Sequence, residues 1–329
     1  MQYDYIQEKE NIISDQNTQM VTRTVEKPRV TVGLPVYNGE RYLAEAIESA
    51  LVQTFTDFEL IISDNGSTDG TVAIGRAYAA RDPRVRYVRS PRNRGAAWNY
   101  NRLVELAQGD YFRWLAADDA LAPTLLEKSV FILDSYPRVV LAFTWTQDID
   151  AAGRPLRVKR STVGADAARP RARFRGLANV VPWHNCEEVF GLLRTAILRR
   201  TAMIAPYTDS DRTLLAELGL HGPFYEIPEP LFLHRVHPAS SVVVNPDGHA
   251  RAAWFDPKLQ DKLVLPNWRQ LYELGRVIRR SPVSGSERFY CYLELGRWVK
   301  RRRQWLLEDL TRAARQLAAR DRRPAPVTN

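Results

Sequence analysis

The stretch Val30-Thr31-Val32-Gly33-Leu34-Pro35-Val36-Tyr37-Asn38-Gly39 leads into Tyr42, Leu43, Ala46, Ile47, Ala50 and Leu51 at helical spacing. A short apolar run followed by a 3.6-residue period predicts a buried strand and then an amphipathic helix. The same unit recurs at residues 58–63, followed by a helix opening near Ser67-Thr68-Asp69, and at residues 85–88, followed by a helix through Leu103 and Leu106. A strand at residues 111–116, a helix at 123–134 with Pro123 in its first turn and a strand at 139–144 continue the run. Such alternation predicts an α/β fold, a Rossmann-like and mostly parallel sheet flanked by helices on both faces.

In open sheets of this kind ligands bind beyond the carboxyl ends of the strands. There this chain places Tyr37-Asn38, Asp64-Asn65-Gly66, Arg92-Asn93 and Asp118-Asp119, so four strand ends are expected to converge on one cleft. The doublet Asp118-Asp119 follows the apolar Tyr111-Phe112-Arg113-Trp114-Leu115-Ala116-Ala117. Adjacent carboxylates leaving a buried strand suit a divalent metal and a polyphosphate, although Asp is also common in turns. The first connection lacks Gly-x-Gly-x-x-Gly and the chain has no Walker-type Gly-Lys-Ser/Thr loop, which argues against a dinucleotide dehydrogenase and a P-loop NTPase.

Composition narrows the class further. The chain of 329 residues is 45% hydrophobic and 10% aromatic, as expected of a folded globular protein. No apolar run approaches the roughly 20 residues that span a bilayer, and no signal peptide is visible, so a cytoplasmic location is expected. Cys186 and Cys291 are too few and too far apart for a disulfide framework or a zinc site. The net charge of +9 points to an anionic partner without choosing among nucleotides, lipid headgroups and nucleic acid. The chain shows no nucleic-acid-binding motif, so a nucleic-acid partner is not expected.

The expected organisation has four parts. Residues 1–28 are polar and unpatterned, a flexible leader. Residues 29–150 hold the strand-helix run. Residues 151–245 begin with a Gly-, Pro- and Arg-rich segment over 151–172, read as a loop or mobile insertion and a candidate lid, and continue through Trp183-His184-Asn185-Cys186, Asp209-Ser210-Asp211-Arg212 and His234-Arg235-Val236-His237. Residues 246–329 form a basic helical region, with Leu295, Val299, Leu306, Leu310, Ala313 and Leu317 expected near one face and interrupted by Lys300-Arg301-Arg302-Arg303. That region reads either as a docking helix with a solvated basic face or as an element resting on an anionic membrane, which Trp298 and Trp305 would also suit.

Three motifs, Val32-Gly33-Leu34-Pro35-Val36-Tyr37-Asn38-Gly39, Ile62-Ser63-Asp64-Asn65-Gly66-Ser67-Thr68-Asp69 and Ala117-Asp118-Asp119, in this order, resemble family 2 glycosyltransferases, whose fold is GT-A. The resemblance runs over roughly residues 29–241. It implies an inverting, metal-dependent transfer of a single sugar from a UDP-, GDP- or dTDP-linked donor to a hydroxyl-bearing acceptor, with Mn²⁺ or Mg²⁺ as cofactor. It implies that Pro35, Tyr37 and Glu40 belong to the nucleotide pocket, that Asp64 reads the base edge, and that Asp118 lies near the ribose or diphosphate. It makes Asp119 the principal metal ligand, with His237 approaching the metal or diphosphate, and Asp211 the general base. Asp209 is the rival to Asp211, and either can instead cap the following helix. The donor site is expected in residues 29–150 and the acceptor side in 151–245, where Trp183, His184 and Asn185 are candidates for a sugar or acceptor pocket.

Two departures from the family pattern bear on this reading. Ala117 stands where many members have a first Asp, so metal binding is expected to lean on the donor diphosphate. Ser210 stands where a Glu often precedes the base. The alternatives are a sugar-phosphate nucleotidyltransferase, disfavoured by the loop Pro35-Val36-Tyr37-Asn38, and a non-catalytic binder of nucleotide sugars or anionic surfaces. The segment Glu294-Leu295-Gly296-Arg297-Trp298 only superficially resembles the Gln-x-x-Arg-Trp signature of processive synthases.

Overall fold

A computed structural model describes residues 27–161, 163–179, 186–245, 248–260 and 262–321. The leader expected over 1–28 lies outside these residues except for Lys27 and Pro28, as do Trp183, His184 and Asn185. In chain order the first half contains β1 (Val30–Val36), α1 (Leu43–Leu51), β2 (Phe58–Asp64), α2 (Thr71–Arg81), β3 (Val85–Arg89), α3 (Ala96–Leu106), β4 (Tyr111–Trp114), β5 (Ala120–Leu121), α4 (Leu125–Ser135) and β6 (Leu141–Ile149). The second half contains β7 (Pro155–Lys159), α5 (Pro170–Ala178), β8 (Leu192–Arg194), α6 (Thr195–Leu198), α7 (Ser210–His221), β9 (Phe224–Arg235), α8 (Ser241–Val244), α9 (Gly248–Phe255), α10 (Pro266–Arg280) and α11 (Gly285–Asp321).

Among the described residues one nine-stranded sheet runs β3-β2-β1-β4-β8-β6-β9-β5, with β7 paired to β6. The parallel expectation holds for β3, β2, β1 and β4. Beyond β4 the sheet is mixed: β8 runs antiparallel to β4 and β6, while β9 runs parallel to β6 and antiparallel to β5. Every residue of β1 is buried, as a strand covered on both faces requires. Alternate residues feed opposite layers. Leu60 and Ile62 of β2 join the cluster with α1 and α4, and Ile61 joins the other cluster with α3, α7, α10 and α11.

The far edge of the sheet bends back toward the end of β4, bringing the C-terminal end of β9 beside Asp118 and Asp119: Asp119 Oδ1 accepts from the Arg235 N–H, and His237 Nε2 lies within hydrogen-bond distance of Asp118.

Two expectations need correction. Residues 151–172 are not a continuous loop: Ile149 pairs with Pro155 in a β6–β7 hairpin, and α5 begins at Pro170. The alternation Leu156-Arg157-Val158-Lys159 was the available signal for β7, although four of its five residues are exposed. In α11, Leu295, Leu306 and Ala313 are buried, whereas Leu310 and Leu317 lie on the exposed side. The helix docks through the buried set and through Trp298, whose Nε1 donates to the Ala178 carbonyl at 3.1 Å. Cys186 and Cys291 are buried and not joined in a disulfide.

Candidate active site

The register aligns Val36, Asp64 and Arg89, so the ends of β1, β2 and β3 lie side by side. Their loops are tied together mainly through backbone groups. The Ser67 hydroxyl accepts from the Asn38 N–H, and Asn38 Oδ1 accepts from the Thr68 N–H, both at 2.9 Å. Glu40 Oε2 accepts from the Gly70 N–H at 2.6 Å, supplying an acceptor at the start of α2. Asn65 Nδ2 donates to Asn93 Oδ1 at 2.9 Å and to the Gly95 carbonyl at 3.1 Å. Gly66 has φ +84°, and a Cβ there would meet the Arg92 backbone at 2.6 Å, so only glycine fits where these loops cross.

Within this frame Tyr37 is 48% exposed at the mouth of the cleft, while Pro35 is buried in β1. Asp64 is fully buried. Its Oδ1 accepts from the Ser67 N–H at 2.8 Å, and its Oδ2 accepts from the Tyr87 hydroxyl at 2.6 Å and Arg89 Nε at 3.1 Å. The structure thus places Asp64 under the loop as its anchor, with both oxygens engaged. Glu40 is exposed, with one oxygen committed to α2.

Opposite these loops, Asp118 and Asp119 each meet a histidine from the end of β9. His237 Nε2 lies 3.0 Å from Asp118 Oδ2, and His234 Nδ1 lies 3.1 Å from Asp119 Oδ1. Asp119 Oδ1 also accepts from the Arg235 N–H at 2.9 Å, and Arg235 Nε donates to the Asp118 carbonyl at 2.9 Å. The structure therefore pairs His237 directly with Asp118, and His234 with Asp119. His237 is buried against the Tyr42 ring, with centroids 5.0 Å apart, and its Nδ1 has no hydrogen-bond partner.

The electrostatics of this side are unfavourable to bare carboxylates. Burial pushes the Asp119 carboxyl above its ordinary value, as does Asp118, against the opposing hydrogen bond from His234. Burial disfavours the His234 cation, but the hydrogen bond to Asp119 and the charge of that carboxylate together outweigh it and raise the imidazole. Nearby, the buried Arg113 guanidinium is pushed down to about 9 by desolvation, with Asp119 as the opposing influence.

Asp211 lies in the first turn of α7. Its carboxyl is pushed up to about 6, first by burial and then by the like charge of Asp209. Arg212 Nε lies 3.3 Å from Asp209 Oδ1, so the rival carboxylate already has a cation beside it. The buried Tyr100 phenol lies within electrostatic range of both carboxylate groups. Burial raises it most, followed by the charges of Asp118, Asp119 and Asp211 in turn, so all three carboxylates act on one side chain.

Another group of potential metal ligands, Asp148, Glu187 and His234, brings one ligand atom from each within 4.8 Å of the others. Lys159 Nζ already sits there, 2.7 Å from Asp148 Oδ1 and paired with Glu187. A metal would have to displace that ammonium, so the cluster is better described as an ion-pair network supporting His234. The roles of His234 and Arg235 were missed by sequence reasoning, which passed over both in favour of His237. The closeness of His234 and His237 to a β-strand end was the available signal.

The sequence profile described as Glycosyl transferase family 2 matches residues 31–199. Chondroitin synthase of Escherichia coli is 37% identical over 129 residues, which cover 38% of this chain and 18% of that protein. The chain spans less than half the length of the next three relatives as well. In fold it is similar to the Staphylococcus aureus TarS 1-349 structure in complex with UDP-GlcNAc, with TM-score 0.59 and 14% identity over 87% of this chain and 80% of that one. It is also similar to the mannosyltransferase PcManGT of Pyrobaculum calidifontis in complex with GDP-Man and Mn²⁺, with TM-score 0.53 and 20% identity over 91% and 77% of the two chains. With the family profile covering just over half of its length and a GT-A-like sheet beneath the matched motifs, the chain belongs to glycosyl transferase family 2.

Proposed function

We propose that the chain is an inverting glycosyltransferase that moves one sugar from a nucleoside-diphosphate donor to an acceptor hydroxyl. The observation that carries this reading is the pairing of Asp118 and Asp119 with His237 and His234 at the end of β9, opposite the interlocked loops of β1, β2 and β3. Tyr37 offers an exposed ring for the nucleobase, with Pro35 beneath the same strand end. Asp64 and Glu40 act by holding the loops that shape the pocket, and Asp118 faces the ribose or diphosphate.

The carboxylates present suit a divalent cation: Asp119 engages both of its described partners through Oδ1, and Asp118 is partly exposed. Hard carboxylate oxygens suit Mg²⁺ or Mn²⁺, which Asp119 would hold with Asp118, His237 approaching through the Nε2 that faces Asp118. When bound, the cation would neutralise charge on the departing diphosphate.

Asp211 accepts the proton of the acceptor hydroxyl. The acceptor oxygen bonds to the anomeric carbon as the bond from that carbon to the diphosphate oxygen breaks, and the nucleoside diphosphate leaves with the electron pair. A carboxyl near 6 is largely ionised at neutral pH and more basic than an ordinary Asp. The neighbours' bound ligands suggest UDP- and GDP-sugars first, with dTDP-sugars completing the panel.

The test is a donor panel measured by thermal shift and by donor hydrolysis, with Mn²⁺ and with EDTA. A metal-enhanced shift with one nucleotide class, together with slow hydrolysis, supports the reading. Donor binding without hydrolysis, and without transfer to any hydroxyl acceptor, would instead make this a binding protein. No shift with any donor would overturn the nucleotide pocket.

A further inference from the structure

The outer face of α11 bears an apolar seam that covers none of the described residues. Phe289, Leu293, Leu307, Leu310 and Leu317 are all exposed, with Phe289 at 61% and Leu307 at 62%. Their positions, with Gly296, Lys300, Arg303 and Ala314 between them, step by fours and threes, which keeps them on one side of a helix. The opposite side, carrying Leu295, Trp298, Leu306 and Ala313, is docked in the core. Trp298 is therefore part of the docking face and is not available to a membrane. Along one flank of the seam Arg301, Arg312 and Arg315 are exposed.

Such spacing could pair with a second copy, but charge argues against it. Lys300 and Arg303 occupy the middle of the seam, where pairing in either direction would place cations of one helix against those of the other. Burying like charges together costs desolvation and repulsion, and Gly296 contributes no side chain to interlock. An anionic surface reverses the sign of the interaction: two apolar ends enter the headgroup layer while the central cations and the flanking arginines meet phosphates. The net charge of +9 has the same sense. Among the described residues no helix is long and apolar enough to cross a membrane, so contact through α11 would lie along the surface.

We infer that the exposed seam of α11 is a docking surface for an anionic lipid bilayer. The full chain is sedimented with phosphatidylcholine vesicles, with and without phosphatidylglycerol, across a salt series. Pelleting that requires phosphatidylglycerol and falls with salt is the expected result. Each basic residue near such a surface contributes roughly a factor of five, so K300E/R303E should weaken partitioning by at least about thirtyfold. Leu307→Glu with Leu310→Glu should abolish it. R76E/R81E makes the same charge change on exposed α2 positions and should bind as the parent does. Circular dichroism and melting verify the fold, and K300Q/R303Q replaces the reversal should it misfold. Equal pelleting with both lipids, no pelleting, or equal loss in the α2 variant would overturn the proposal. A dimer in sedimentation velocity that dissociates in the Leu307→Glu, Leu310→Glu variant would also overturn it, assigning the seam to a second copy.

Discussion

The two walls of the cleft are built on opposite principles. On the wall formed by the loops after β1, β2 and β3, polar side chains are absorbed in hydrogen bonds: Asp64 accepts three, and Asn65 and Asn93 close one loop on the next. On the other wall, Asp119 and Asp211 are held above their ordinary carboxyl range, and burial lowers Arg113. A wall whose charges are desolvated in the free protein is poised to gain from ligands, whereas a wall whose groups are already paired gives shape. Substitutions should therefore separate, with the paired wall losing stability and the desolvated wall losing activity.

The largest expected effect is at Asp211. Asp211→Asn should reduce turnover by about 10² or more with donor affinity nearly unchanged. The parent's turnover should rise with pH through an inflection at about 6, as the base ionises. Stability should move the other way. Because the folded-state pKa lies above the unfolded value, the native state binds more protons between them, so the parent loses stability as pH rises through that window. The Asn variant should escape this loss and be more stable to unfolding than the parent at pH 8, by at most about 3 kcal/mol, with no gain below pH ~4. A variant that is inactive and also less stable at pH 8 would place Asp211 on the structural wall.

Next comes the doublet. Asp119→Asn should remove the metal enhancement of nucleotide binding, roughly tenfold or more, with little loss of fold. His234→Gln, which removes an imidazole held 3.1 Å from Asp119, should weaken the enhancement less. Calorimetry with and without Mn²⁺ measures both. Unchanged metal-dependent affinity in Asp119→Asn would remove Asp119 from the metal site.

The contrast between the walls also explains what could be read in advance. The strand-helix units up to β4 and the residues at their ends are local in sequence: the buried run of β1 and the helical spacing of α1 each declare themselves within a few residues. The other wall depends on β9 returning more than a hundred residues later to lie beside Asp118 and Asp119. The identity of the imidazole facing each carboxylate follows from the curl of the sheet and from the register of β9 against β5. For the same reason the leucines of α11 could not be divided between its two sides until the docking face was known. The burial of Asp64 as a loop anchor was not legible, because Tyr87 and Arg89, which enclose it, come from the next strand.

That anchor supplies the test of the paired wall. Asp64→Asn removes the charge facing Arg89 and disturbs three accepted bonds, so it should destabilise the fold by about 1–3 kcal/mol in urea titration. Arg89 is partly exposed, which lets water offset some of the loss. Turnover measured where the variant is fully folded should fall far less than in Asp211→Asn. A variant of parental stability that no longer binds donor would give Asp64 a direct contact with the nucleotide.

The smallest effect is expected at Asp209, which sits one residue before α7 with φ 65° and Arg212 beside it. Its charge is the second cause, after burial, of the raised Asp211 carboxyl. Asp209→Asn removes that like charge and weakens the claim of Asp209 on Arg212, and both changes favour the ionised form of Asp211. The acid limb of the pH–turnover profile should then move to lower pH, while turnover above neutrality changes little, because Asp211 is already ionised there. This shift in the profile distinguishes a neighbour that tunes the base from a residue that only starts the helix, which would lower stability and leave the inflection in place. If Asp209→Asn is inactive while Asp211→Asn retains activity, Asp209 is the base and the two carboxylates exchange roles.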